Sequence, residues 1–99
     1  MIYSIPLQPL PAQEVTCSLS GRQVRLWVRQ LSTGLYLDLW LDEQPLIMGA
    51  ICFNGVDLIR NPASPLPGRL FFTDTQGNAD PYYDGVGSRF ILQYDDGAA

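Results

Sequence analysis

The residues able to do chemistry in this 99-residue chain are defined first by one that is missing: there is no histidine. That removes the commonest general base, the Ser-His and Cys-His pairs and imidazole metal ligation together. Carboxylates remain. Glu14, Asp38, Asp57, Asp80 and Asp84 offer acid–base pairs of the kind that cleave glycosidic bonds. Nearly all of them fall in turns or on wet strand faces, however, where a solvated carboxylate is the ordinary finding. The stretch Asp74 to Asp80, followed by Asp84-Gly85, spaces oxygen ligands through a loop as calcium requires, so Asp74, Asp80 and Asp84 are the candidate metal ligands. The spacing is not that of an EF-hand, and turn-forming Asp and Asn account for the same letters. Two cysteines alone, Cys17 and Cys52, do not complete a structural zinc site. Both sit in apolar alternation, the setting of a buried reduced thiol, and sequence does not give the distance that would decide a bridge. With no phosphate-cradling glycine loop either, the expectation is a protein that is not an enzyme and carries no cofactor.

The more informative residues are aromatic. Trp27, Tyr36 and Trp40 fall on the polar side of an alternating pattern, together with Arg25 and Arg29. Tryptophan beside arginine is the composition of an interface anchor; the same rings could stack on a sugar, or be covered by the protein's own proline-rich segments. Tyr82 and Tyr83 are amphipathic enough to cap a core edge or touch a partner, and complete the candidate interface set.

The elements that must position these residues are strands. Val15 to Ser20 alternates apolar residues with hydroxyls, and Gly21-Arg22 marks a turn. Val24, Leu26 and Val28 alternate with Gln23, Arg25, Trp27 and Arg29, and Ser32-Thr33-Gly34 is the next turn. Leu35, Leu37, Leu39 and Leu41 then interleave with Tyr36, Asp38, Trp40 and Asp42. An even loop keeps apolar residues on one face, and we place Val28 opposite Leu39 and Leu26 opposite Leu41. The other face then pairs Arg29 with Asp38, Trp27 with Trp40 and Arg25 with Asp42. After a turn at Asp42 to Pro45, the apolar run Leu46 to Phe53 reads as a strand covered on both sides. Asn54-Gly55 is a hairpin dipeptide, and Val56 to Arg60 the returning strand. Leu70 to Phe72 and Phe90 to Tyr94 are further strands, Asp95 to Ala99 a frayed tail. The fold class is all-β: a small barrel or sandwich of six to seven short, mostly antiparallel strands, with long loops at 61–68 and 73–87.

Length argues for one domain over 1–99, with an extended proline-rich N-terminal arm at about 5–12. Eight prolines and nine glycines fit many turns and few helices. A net charge of −4 disfavours binding to a phosphate backbone. Six basic residues, all arginine, carry the positive charge. Met1 to Pro6 lacks the basic region and cleavage site of a signal peptide, and Asp38, Asp42, Glu43 and Pro45 interrupt the most apolar stretch. We therefore expect a cytoplasmic, non-membrane setting.

Read in order, the chain resembles the small baseplate-plug proteins of contractile-tailed bacteriophages. The resemblance is carried by Ile5-Pro6-Leu7 with Gln13, Leu35-Tyr36-Leu37-Asp38-Leu39, and Pro65-Leu66-Pro67-Gly68 before Leu70-Phe71-Phe72. It continues through Asp80-Pro81 and Tyr83-Asp84-Gly85-Val86-Gly87 to Phe90, Leu92 and Tyr94. Val86 stands where leucine is expected. The resemblance implies a structural role, with several copies packed at the centre of a virion tail baseplate near the hub and tube end, helping to close the channel until contraction. It implies other hub and tail-tube proteins as partners and offers no catalytic residues. The alternative reading is a free β-module binding carbohydrate or peptide through its aromatics.

Overall fold

The computed structural model describes residues 2–59 and 65–96. Seven strands follow one another: β1 (Ile2–Ile5), β2 (Ala12–Leu19), β3 (Arg22–Leu31), β4 (Gly34–Leu41), β5 (Gln44–Ile51), β6 (Arg69–Asp74) and β7 (Phe90–Asp95), with a one-turn 3-10 helix at Tyr83–Gly85. They form two antiparallel sheets, a meander β2-β3-β4-β5 and a smaller sheet β1-β7-β6. The sheets do not close on each other, so of the two architectures expected the sandwich is found and the barrel is not. Among the described residues no helix is long and apolar enough to cross a membrane.

Period-two patterning builds the core directly. Val24, Leu26, Val28, Leu35, Leu37, Leu39 and Leu41 face inward from the larger sheet, and Leu70, Phe72, Phe90, Leu92 and Tyr94 meet them from the smaller one. Tyr94 keeps its hydroxyl satisfied in this apolar layer, donating to the Pro67 carbonyl and lying 2.8 Å from Ser20 Oγ. Ile5 and Leu7 also bury themselves in the core, while Gln8 to Pro11 cross exposed toward β2.

Three strand assignments need correction. Ile2–Ile5, read as chain before the arm, is a strand on the edge of the smaller sheet, because Tyr3 and Ile5 find partners in Tyr94 and Leu92 of β7. Leu46 to Phe53 is not covered on both sides: β5 is an edge strand, Met48 is 51% exposed and only Ile47 in it is fully buried. Pro45, which has no N–H to give a ladder, is tolerated for that reason.

Val56 to Ile59 form no strand, and Arg60 lies outside the described residues. Instead, residues 54–59 lie along the open edge of β6 and satisfy it with side chains. The Gly55 and Leu58 amides donate to Phe72 O and Leu70 O at 2.8 and 2.6 Å. In return, Asn54 Oδ1 accepts from the Asp74 amide at 2.9 Å and Asp57 Oδ1 from the Leu70 amide at 3.0 Å. Short Asn and Asp side chains here replace the carbonyls of a neighbouring strand. Asp57→Ala is therefore expected to leave the Leu70 amide without its acceptor and cost about 1–3 kcal/mol. Urea unfolding measures it, and Asp57→Asn, which retains an acceptor, should lose less.

Of the predicted loops, 61–64 lies outside the described residues. The 73–87 loop starts later, after Asp74, and contains the 3-10 turn. Asp95 belongs to β7 rather than to a tail, and 97–99 lie outside the described residues.

Candidate interaction face

The β2–β3 and β4–β5 hairpins turn on Ser20-Gly21 and Asp42-Glu43, all with positive φ between 49° and 74°, the conformation that matches strand twist in two-residue hairpins. The β3–β4 hairpin turns on Ser32-Thr33, so Gly34 closes it as the residue after the turn. The expected register requires a loop centred on Thr33-Gly34 (those two residues, or Ser32 to Leu35); the turn lies one residue earlier, and the register moves by two as a result. Leu26 lies opposite Leu39 and Val28 opposite Leu37. A two-residue slip leaves every side chain on its face, so alternation alone could not tell the registers apart.

The slip rewrites the outer face of the larger sheet. Trp27 and Trp40 are not partners across the ladder, and Arg25 does not pair with Asp42. One row runs Ala12, Arg29, Tyr36, Ile51; the next Glu14, Trp27, Asp38; the third Thr16, Arg25, Trp40, Pro45. Charged and aromatic side chains therefore alternate across β3 and β4 like squares of a board. The Arg25 guanidinium lies 4.2 Å from the centre of the Trp40 ring, and that of Arg29 lies 4.7 Å from the Trp27 ring, within reach of cation–π attraction. Arg25 is also 4.0 Å from Glu14 and 3.9 Å from Glu43. Asp42 instead holds Arg22 and accepts from the Gln23 amide at 3.0 Å. The Arg22 hydrogen bond, with that amide, lowers the Asp42 carboxyl below its ordinary range.

Asp38, expected to be solvated, is buried. Between Leu37 and Leu39 the β4–β5 register shifts, so that Met48 and Gly49 together face Asp38. Gly49 has φ +64°, and its amide donates to Asp38 Oδ1. The side chain thus closes a β-bulge that the backbone leaves open. The other oxygen lies 3.0 Å from Arg29 Nη1, an ion pair between side chains 9% and 21% exposed. The expected Arg29–Asp38 pair is present, but on a diagonal between neighbouring rows. Tyr36 is half-buried, its hydroxyl 2.7 Å from Thr33 Oγ1. Trp27, 41% exposed, is the residue this framework presents to solvent.

Tyr82 and Tyr83 are elsewhere. They lie at the β3–β4 turn end of the sandwich, where the Tyr83 amide donates to Gln30 Oε1 at 3.0 Å and the Tyr82 ring meets Phe90 edge-on at 4.8 Å. The same end exposes Leu10, Leu31 and Phe53, which the sequence reading did not single out. Leu31 could have been found, since it continues the outward alternation of Gln23, Arg25, Trp27 and Arg29.

The candidate metal ligands do not converge, and among the described residues no group of three or more His, Cys, Asp or Glu side chains could hold an ion. Asp74 is committed to Arg89, with both carboxylate oxygens 2.9 Å from the guanidinium, and to the amides of Gln76 and Ala79. Asp80 accepts from the Asn54 amide at 3.0 Å, and Asp84 is exposed in the 3-10 turn. The Arg89 hydrogen bonds, helped by the two amides and opposed by desolvation, hold the Asp74 carboxyl far below the usual carboxylate range. A carboxyl depressed in the folded state stabilises above its unfolded pKa of about 4 and stops doing so as pH falls toward the folded value. The melting temperature should therefore be insensitive to this group above about pH 5 and drop below about pH 4. Asp74→Asn should flatten that acid limb in a calorimetric pH series.

A cleft of about 380 Å³ between the β1 and β2 edges is lined by Tyr3, Ser4, Cys17, Ser18, Ser20 and Asp96. None of the five carboxylates considered for catalysis lines it; a second cleft of the same volume, by Asn54 and Asn78, has Asp57 in its wall, where Asp57 Oδ1 already accepts from the Ile59 and Leu70 amides. Cys17 is a half-buried free thiol, so the two cysteines are not joined, and burial pushes its pKa up, away from thiolate reactivity.

Fold and site together define a class: a small β-sandwich whose notable feature is a flat, ordered face of aromatic and charged side chains, the architecture of an assembly or recognition module. The family model described as "Cyanophage baseplate Pam3 plug gp18" matches residues 2–97. The chain belongs to this family of phage baseplate plug proteins, which gives it a structural role in the tail baseplate of a virion. No curated protein matches the chain.

Proposed function

We propose that several copies of this protein pack at the centre of the baseplate, near the hub and the end of the tail tube, and help to close the channel until the tail contracts. They are made in the host cytoplasm and reach the baseplate by assembly. The outer face of β2-β3-β4-β5, with Trp27, Trp40, Tyr36, Arg25 and Arg29, is the surface that neighbours cover. The observation that carries this reading is the state of Trp27: a large aromatic left 41% exposed, yet held in place by Arg29 and the buried Asp38. An anchor already ordered before contact loses little entropy on binding.

A sugar-binding use of the same rings is less well supported, because guanidinium groups already occupy one face of each tryptophan. Electron cryomicroscopy of purified tails carrying the chain tests the proposal. Density for this fold on the tube axis, with the Trp27 face against a neighbour, is expected. Tails lacking the chain, or carrying it with that face open to solvent, would refute it.

A further inference from the structure

The β3–β4 turn end differs from the sheet face in one respect, its charge. Hydrogen bonds gather its segments: Gln30 N to Pro11 O at 2.7 Å, Tyr83 N to Gln30 Oε1 at 3.0 Å, and Asn54 N to Asp80 Oδ1 at 3.0 Å. They bring together four exposed apolar side chains, Leu10 (44%), Leu31 (47%), Phe53 (39%) and Tyr83 (38%). Beside them stand Asp80 and Asp84, exposed, with no cation in ion-pair reach among the described residues. Every described arginine is already beside another carboxylate: Arg22 by Asp42, Arg25 by Glu14 and Glu43, Arg29 by Asp38, Arg69 by Asp95 and Arg89 by Asp74. The sheet face thus carries both signs of charge; at the turn end Arg89 reaches the Tyr82 hydroxyl but is matched by Asp74, which leaves Asp80 and Asp84 as a net negative charge.

We propose that this end docks a different protein, one presenting an apolar centre ringed by arginine or lysine. Net negative charge around an apolar centre selects an opposite-sign partner and disfavours the same surface of a second copy, where Asp80 and Asp84 would meet like charges. The inference rests on the assembly reading for the existence of a partner and goes beyond it in naming the surface and the partner's chemistry.

The test titrates the purified chain with each purified product of the tail genes neighbouring its own. One of them should bind with an affinity that falls as salt rises from about 50 to about 300 mM. Leu31→Ser, and separately Asp80→Asn with Asp84→Asn, should each weaken that complex about tenfold or more, while Trp27→Ala leaves it intact. The double Asn variant keeps the Asn54 acceptor, so its folding is not at stake. Full affinity in both variants, dependence on Trp27 instead, or loss of self-association alone would overturn the inference while sparing the assembly reading. Failure of the wild-type chain to bind any neighbour would overturn the inference, and failure to self-associate as well would overturn the assembly reading with it.

Discussion

Gly87→Ala is expected to cost about 3–5 kcal/mol, a large share of the stability of a domain of this size. Two separate effects add at this position. Gly87 has φ +91°, where an L-residue is strained. A Cβ built there would also run into the carbonyl oxygen of Leu7, a backbone atom held because Leu7 is buried in the core. Gly87 further donates its amide to Phe90 O at 2.9 Å, so the loop cannot move aside without loosening the start of β7. Gly21 separates the two effects, having φ +74° and nothing within 4 Å of a built Cβ. Gly21→Ala should cost only the strain, about 1–2 kcal/mol. Urea denaturation of the two variants gives the difference, and equal losses would show that the Leu7 contact is not rigid.

Asp38→Ala is expected to destabilise by about 2–3 kcal/mol and, unlike any core substitution, to disturb the outer face directly. It leaves the Gly49 amide without its acceptor at the bulge and Arg29 without its carboxylate. Arg29 is then free to leave the Trp27 ring. Asp38→Asn keeps an acceptor for Gly49 but not the charge, and should recover part of the stability. Intrinsic fluorescence reports the loss of Trp27 packing; an unchanged spectrum and stability would mean that the bulge holds itself.

Much of this fold was legible because one physical signal, alternation, dictates which residues are buried. Val24, Leu26, Val28 and the leucines from Leu35 to Leu41 are at most 3% exposed. What alternation does not encode is a shift by two, which is why Trp27 was set against Trp40 when its partners are Glu14 and Asp38. Nor does it encode edge management. Val56 to Ile59 has strand composition, yet Asn54 and Asp57 cap β6 with side chains, and Leu46 to Phe53 reads as central because its apolar content hides a bulge at Met48-Gly49. The site was half visible. Tryptophans on a polar face marked a surface, but the burial of Asp38 follows from that bulge, and Tyr82 and Tyr83 proved to belong to the turn end.

The central claim is that the outer sheet face is there to be covered by a neighbour. Its most direct test compares association and folding in Trp27→Ala and Trp40→Ala, by light scattering and thermal unfolding of the same samples. The account predicts that wild-type chain associates through this face, apart from any complex made by the turn end. It predicts that both substitutions weaken that association about tenfold or more, and that Trp27→Ala costs less than about 1 kcal/mol of stability, as expected of an exposed side chain. A strictly monomeric wild type whose tryptophan fluorescence is quenched by sugars, or variants that lose stability while assembling normally, would contradict it.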